Sequence, residues 1–366
     1  MNLDFSDDQK LLKQTAREYL SEHAPLSLCR AVLESNAAYS EALWKGIAAL
    51  GWLGTAIPEE YGGAGFGRLE LAVLAEEMGR CLAPIPFSSS AYLATEALVQ
   101  FGSAAQKRTY LPKLATGEAI GCFAHAEKPG EPGAGSIATA FTKGKLTGNK
   151  LPVPDGDVAH FAIVTAKSGD DIALTIVDLT ATGVERAAVR SIDPSRSLAR
   201  VQFAGAPAQL LAGAPTGWTG VEQLLDRAAV LMAFEQLGSA TRSFEITREF
   251  TLGRYAFGRP IASFQAVKHR LADLYVEIEL ARSNAYYAAW ALSTNAPELR
   301  FAACGARASA SDAFEVMSRE MIQLHGGVGY TWEYDCHLFY RRAKYLAAIL
   351  GSANHWREHL IERLDA

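Results

Sequence analysis

Cysteine is scarce, and the five present (Cys29, Cys81, Cys122, Cys304, Cys336) form no C-x-x-C pair. That scatter indicates neither a zinc motif nor a disulfide framework, so free thiols in a reducing cytoplasm are expected. An excess of basic charge is also missing: 35 Lys and Arg stand against 40 Asp and Glu, a formal net charge of −5. A phosphate-backbone binder needs a basic stripe, so nucleic acid is not an expected partner. No run of about 18 apolar residues occurs, so no membrane span is expected. Residues 1–9 are acidic and polar and lack the basic-then-apolar order of a secretory leader. No Walker loop and no strand-linked G-x-G-x-x-G is present, which leaves nicotinamide use without support. What is there is 366 residues, 49% apolar and 20% charged, an ordinary globular composition long enough for two or three domains.

Three composition zones follow one another. Residues 1–118 are helical in pattern: Ser6 and Gln9 form a capping-box pair, and Leu11, Leu12, Thr15, Tyr19 and Leu20 recur at helical spacing. Further helices are expected over 40–50, 68–79 and 91–101, interrupted by the glycine-bearing loop PEEYGGAG at 58–65. Residues 119–217 hold seven of the fourteen prolines, which excludes long helices there. Their short apolar runs (161–165, 173–177, 201–203) are bounded by Gly, Asp, Pro or Ser and read as a small antiparallel β domain. Residues 218–366 are helical again, with helices expected over 221–238, 264–290 and 298–324 and a last one from about His355. The first of these is nearly apolar all round and so is buried on more than one side. Frequent alanine (Ala302, Ala303, Ala306, Ala308, Ala310, Ala313) suits close helix packing. The fold class is α+β, in the order helical, β, helical.

Two glycine-punctuated corners in the last third carry the chemistry. The first, RYAFGRPIASFQAVKHRLAD at 254–273, offers Arg254, a planar fork suited to phosphate oxygens. Gly258 and Pro260 bend the chain so that Arg254 and Phe257 sit at a helix end. Gln265, just inside the next helix, can reach an adenine, a ribose or a backbone group. The second corner, QLHGGVGY at 323–330, brings Gln323, Gly326, Gly327 and Gly329, whose backbone N–H groups can approach an anion closely. Either corner alone could be a plain helix stop or turn. The pair, in this order and about sixty residues apart, is far more specific and meets the needs of a flavin dinucleotide.

These two segments resemble the paired signatures of acyl-CoA dehydrogenases, the second in a variant with His after Gln-Leu and with Thr-Trp-Glu. PEEYGGAG and the opening FSDDQKLLKQTAREYL resemble the same family's N-terminal domain, so the likeness covers essentially the whole chain. It implies an N-terminal helical domain, a barrel-like β domain and a C-terminal four-helix-bundle domain, assembled as a homotetramer or an α2β2 heterotetramer. It implies FAD held between the β domain and the C-terminal domains of its own and a neighbouring chain. Arg254, Phe257, Gln265, Gln323, Gly326 and Gly327 would reach the neighbour's FAD; Ser352 and Asn354 match its Thr-x-Gln contact. In the β domain, AHAEKPGEPGAGS departs from the family's Thr-Glu-Pro-Gly-Ala-Gly-Ser by an insertion between Glu127 and Pro132. The backbone of Ala124 and Ala126 would meet the ring edge and Ser136 the cofactor, while Pro152, Val153 and Pro154 replace the usual Trp-Ile-Thr.

The implied reaction is α,β-desaturation of an acyl-CoA thioester in fatty acid or steroid catabolism, with an electron-transfer flavoprotein as acceptor. It needs an oxyanion donor and a base. Leu350 stands where the family has its catalytic glutamate: its backbone N–H can still meet the thioester oxygen, but the carboxylate is gone. Some members place the base before an Arg on the helix that opens the C-terminal domain, and Asp226, before Arg227, matches that position. An Asp reaches about 1.3 Å less far than Glu. The plainer alternative for Asp226 is an early-helix carboxylate paired with Arg227 or the helix dipole. Two other functional readings stand: a catalytically silent FAD-binding subunit of an α2β2 enzyme, and a flavin monooxygenase or oxidase on the same fold. His355 and His359 have i, i+4 zinc spacing but no third ligand, and His325 is expected in a core or interface. Arg341, Arg342 and Lys344 form a short basic face that could meet a CoA phosphate; the favoured reading is that it is solvated.

Overall fold

The computed structural model describes residues 5–130 and 132–364. Residues 1–4 of the polar start, Glu131 of the insertion, and residues 365–366 lie outside the described residues. The first helices begin where the sequence supplies caps. α1 (Asp7–His23) opens on the expected box, in which the Ser6 hydroxyl accepts from the Gln9 N–H and the Gln9 side chain accepts from the Ser6 N–H. α2 (Leu26–Leu33) follows, then α3 (Glu41–Ala49), capped by Ser40, and α4 (Arg68–Arg80). A buried π-helical turn, Ser88–Ala94, runs directly into α5 (Thr95–Phe101). α6 (Ala104–Ala115) has a second capping box, Ser103 with Gln106.

The strands come next: β1 (Gly121–Ala124), β2 (Ala140–Thr142), β3 (Lys145–Pro154), β4 (Phe161–Ser168), β5 (Asp171–Asp178), β6 (Val184–Val189) and β7 (Leu198–Leu210). Pairing runs β4–β2–β3–β7–β5 and back to β4, which closes a small barrel; β1 adds to β4, and β6 to β7. The expectation of an antiparallel domain holds for most pairs, but β1 and β2 both run parallel to β4. The long connections that precede β4 allow this, since parallel neighbours need a crossover and not a hairpin. The remaining elements are α7 (Thr219–Gly253), a hairpin of β8 (Tyr255–Ala256) and β9 (Arg259–Pro260), α8 (Gln265–Thr294), α9 (Leu299–His325), α10 (Cys336–Ala348) and α11 (Ala353–Leu364). No helix among the described residues is long and apolar enough to cross a membrane.

Internal contacts divide the chain into two compact units, one of Met1–Arg30, Ala72–Ala83 and Ala229–Ala366, the other of Ala31–Leu71 and Pro84–Ala228. In the second, the π-helical turn docks on the barrel through polar groups. Ser89 Oγ donates to Asp155 Oδ2 at 2.5 Å, and Arg196 Nη2 donates to Ser88 Oγ at 2.5 Å. In the first, α8, α10 and α11 pack on α9, whose alanines Ala302, Ala303, Ala306, Ala310 and Ala313 are buried and let the neighbours close in.

The α4–α7 crossing is closer still. A Cβ on Gly238 would lie 1.8 Å from the Glu76 carbonyl oxygen, and one on Gly79 would lie 1.9 Å from that of Glu235. Backbone therefore touches backbone, and Ser239 Oγ donates to the Gly79 carbonyl at 2.8 Å. Beside this crossing Glu76, 2% exposed, accepts from Lys13 Nζ at 2.5 Å and from Arg282 Nη1 at 3.0 Å.

One surface expectation is corrected. Arg342 is fully buried, not solvated with Arg341 and Lys344. Helical spacing places it with Leu338, Phe339, Tyr345 and Leu346 on the inner face of α10, and its Nη2 donates to the Leu82 carbonyl at 3.1 Å.

Burial alone would raise the Glu76 pKa, but Lys13 and Arg282 outweigh it and hold the carboxyl below its ordinary value. The sign follows: the folded state binds this proton less readily than the unfolded chain. Glu76 thus contributes stability above the unfolded carboxyl pKa that is lost as pH falls through the folded one. Glu76→Gln should cost about 1.5–3 kcal/mol near neutral pH by taking this carboxylate from the half-buried Lys13 and Arg282, and should flatten the acid limb of the stability profile, as read by urea unfolding between neutral and acid pH.

Candidate functional site

In the barrel unit the ring-facing candidates sit on a short segment held from both sides. Ala124 ends β1, is fully buried and pairs with Val164 of β4. The Ala126 carbonyl is taken by the Leu151 N–H at 2.8 Å, which leaves the Ala126 N–H as the group it can offer. Ser136 is exposed; its hydroxyl accepts from the Gly133 N–H at 3.0 Å and donates to the Gly133 carbonyl at 2.8 Å, so it closes the glycine turn upon itself.

A buried ion pair clamps this segment, and the sequence reading did not single it out. Lys150, 0% exposed, donates to the His125 carbonyl at 3.0 Å, to Glu127 Oε1 at 2.9 Å and to Thr165 Oγ1 at 3.0 Å. Glu127 also accepts from the N–H groups of Ala138 and Thr139, each at 2.8 Å, and so ties down both ends of the loop that carries the insertion. Burial pushes the Lys150 ammonium down to about 8 against the pull of Glu127. Burial would raise Glu127, but Lys150 and the two N–H groups hold it below its ordinary value. A lysine in a strand whose neighbours alternate inward was the available signal.

Asp226 lies on α7 in the same unit, 6% exposed. Its neighbour Arg227 donates to Glu96 Oε1 at 3.2 Å, and Arg68 donates to the same carboxylate at 3.0 Å. The guanidinium beside Asp226 thus binds Glu96.

In the helical unit the first corner is a hairpin. Arg254 follows the end of α7, is exposed, and accepts at its carbonyl from the Ile261 N–H at 2.8 Å. Phe257 and Gly258 form the two-residue turn with φ of 52° and 77°, the pair of positive angles that a type I′ turn demands. Phe257 stands at the tip, 95% exposed. Gln265 is the exposed first residue of α8. At the second corner Gln323 is exposed near the end of α9, and its carbonyl accepts from the Gly326 N–H. Gly326 and Gly327 are exposed, with no atom within 4 Å of an added Cβ. The ring of Phe250, one turn before Arg254, stacks on His325 at 4.1 Å, so the two corners are brought together. Burial holds His325 below its ordinary pKa, and its Nδ1 lies 2.7 Å from the Met321 carbonyl.

Leu350, Ser352 and Asn354 lie elsewhere. Their turn between α10 and α11 is bonded to Arg307 in the middle of α9, roughly 27 Å of helix from His325. Leu350 has φ of 62°, a left-handed conformation uncommon outside glycine and one that persists only where the surroundings enforce it. Ser352 Oγ accepts from the His355 N–H at 3.2 Å and caps α11; Asn354 Oδ1 accepts from Arg357 Nη1 at 2.8 Å. The rings of His355 and His359 lie 4.1 Å apart, tilted by 46°, and no group of three or more metal-ligating side chains occurs among the described residues.

Comparison with known proteins agrees with this layout. A family model of the acyl-CoA dehydrogenase C-terminal domain matches residues 215–364, and one of the N-terminal domain matches 6–118. Two curated relatives, both acyl-CoA dehydrogenase IpdE2, are 35% identical over 348 residues (Mycobacterium tuberculosis, 94% of each chain) and 34% identical over 362 residues (Mycolicibacterium smegmatis, 99% of each chain). Among solved structures, a variant of the steroid ACAD Tcur3481-Tcur3483 is 30% identical with a TM-score of 0.89 over 98% of each chain. The ChsE4-ChsE5 complex of Mycobacterium tuberculosis is 26% identical with a TM-score of 0.91 over 100% of this chain and 99% of that one. Helices, barrel and helices in this order, with these matches, define an oxidoreductase. The chain belongs to the acyl-CoA dehydrogenase family, whose members are FAD-dependent flavoproteins.

Glu127→Gln should cost about 3 kcal/mol in urea unfolding, because it leaves the Lys150 ammonium buried without a carboxylate. Limited proteolysis should then cut within residues 128–138 faster than in the parent.

Proposed function

We propose that this chain is one subunit of a heteromeric FAD-dependent acyl-CoA dehydrogenase that desaturates a bulky, ring-bearing CoA thioester and passes electrons to an electron-transfer flavoprotein. Leu350 carries the reading. The turn that presents the backbone N–H of this position is kept, whereas the carboxylate that would take the substrate's α proton is not.

The residues present fit the cofactor. Arg254 supplies an exposed fork for phosphate oxygens, and the open space around Gly326 and Gly327 leaves room for the cofactor to approach that turn. Gln265, Gln323, Ser352 and Asn354 supply amide and hydroxyl contacts; Phe257 offers an apolar face. In the barrel unit Ala124 and the Ala126 N–H are main-chain groups for the ring edge, and Ser136 offers a hydroxyl. FAD, when bound, supplies the acceptor for the hydride that leaves the β carbon.

This chain's own part in the chemistry is positional and electrostatic. The Leu350 N–H donates to the thioester oxygen and stabilises the negative charge that grows there as the α proton leaves. Asp226 is the carboxylate this chain can offer as base; the alternative source is the partner's glutamate. The silent-subunit reading rests on the same leucine and differs only in where that base resides.

Support for a second subunit comes from exposed apolar side chains on the helical unit: Phe257 at 95%, Tyr330 at 81%, Tyr255 at 65% and Leu280 at 62%. Both structural relatives described above have names that pair two chains.

The protein purified alone and the protein co-expressed with a glutamate-bearing homologue should differ in mass and in FAD-to-chain ratio, with anaerobic flavin bleaching by acyl-CoA restored in the mixed assembly. A homotetramer with full turnover would overturn the subunit reading. Asp226→Asn should slow bleaching by about 10²-fold or more if Asp226 is the base, whereas an unchanged rate assigns the base to the partner. Phe257→Ser should leave the unfolding free energy of the chain within about 0.5 kcal/mol, because the ring is solvated there, yet lower both FAD content and oligomer mass.

A further inference from the structure

Arg307 lies in the alanine-rich middle of α9 and is 0% exposed. Its guanidinium works in two directions. Nη1 donates to Gln236 Oε1 of α7 at 2.5 Å and to Ser311 Oγ. Nη2 donates to the Leu346 carbonyl at 2.5 Å and to the Ile349 carbonyl at 2.7 Å. These two oxygens belong to the last turn of α10 and the residue just beyond it, where helix geometry leaves carbonyls without internal partners. The next residue is Leu350, with φ of 62°.

The turn is held on its other side as well. Trp356 Nε1 donates to the Leu350 carbonyl at 2.9 Å, and a Cβ on Gly351 would lie 2.4 Å from the His355 ring. With the carbonyls of Leu346, Ile349 and Leu350 all engaged, the Leu350 N–H has no partner among the described residues. A non-glycine residue stays left-handed only where its surroundings over-determine it.

We infer that Arg307 is a positioning residue that locks the Ile349–Leu350 turn through its two carbonyl bonds and thereby keeps the Leu350 N–H free and aimed as the donor to the substrate carbonyl. This rests on the acyl-CoA reading given above. The planar fork is what the task needs, since a lysine ammonium is a point charge that cannot span the Gln236–Ser311 pair and both carbonyls at once. Burial lowers the guanidinium pKa to about 10, opposed by Glu235, so the group is still cationic at neutral pH.

The test compares 3-cyclohexylpropanoyl-CoA with S-(3-cyclohexylpropyl)-CoA, a thioether without the carbonyl, titrated into the FAD-loaded assembly and read by flavin absorbance. The parent protein should bind the thioester about tenfold more tightly, the effect of one hydrogen bond. Arg307→Lys should bring the ratio to within about twofold while leaving thioether affinity unchanged, a result that general destabilisation would not produce. Adding Leu350→Gly, which adopts positive φ without strain, should partly restore the preference. A full preference retained in Arg307→Lys overturns the inference. Should that variant fail to fold, Ser311→Ala, which frees one anchor of the fork, should give an intermediate ratio, and an unchanged ratio there overturns it equally.

Hydrogen exchange of the peptide spanning residues 346–352, measured without flavin, separates this inference from the reading beneath it. Faster exchange in Arg307→Lys supports the lock, and unchanged exchange overturns it. A parent protein that shows no thioester preference removes the acyl-CoA reading, and with it the role given to the Leu350 N–H.

Discussion

The helical unit depends on one close approach, that of α4 to α7 at Gly79 and Gly238. With backbone in contact there, neither position can carry a side chain, and the α7 residues 229–240 are buried throughout. The same approach places Glu76 and Glu77 out of water, so their charges must be met within the fold. Lys13 and Arg282 meet the first, and Arg17 meets the second at 2.7 Å. The arrangement is stabilising only as a complete set, because a buried ion without its partner costs more than the pair contributes.

Buried cations recur twice more, in each case to fix backbone. In the barrel unit Lys150 and Glu127 pin the segment bearing Ala126 and the loop beyond it. In the helical unit Arg307 holds the carbonyls before Leu350. Neither cation is offered to solvent. Each divides its donors between side-chain acceptors and main-chain oxygens, the His125 carbonyl for Lys150 and those of Leu346 and Ile349 for Arg307.

Much of the fold was legible because its signals are local. Ser6 with Gln9 caps α1 as expected, and the three long helices after residue 218 follow from periodicity and apolar content. Less was legible where burial overrides composition. Arg342 and Arg307 look like surface charges in the sequence, yet helix phase turns both inward. α6 contains Pro112 and α10 is rich in charge and aromatics, so neither stood out as a helix. The 254–260 corner read as a bend and is a hairpin, since a Phe with positive φ is not what propensity favours.

By itself the sequence determined the order of helical, β and helical zones and the two glycine corners. Both follow from residue identity and short-range spacing. Only the tertiary structure decided which groups share a place. It joined the two corners through the stack of Phe250 on His325, set the Leu350 turn a helix-length away, and chose backbone carbonyls as the partners of Arg307. The physical reason is that a buried cation takes whichever acceptors the packed helices bring to it, and half of those around Arg307 are main-chain atoms that every sequence possesses and no sequence displays.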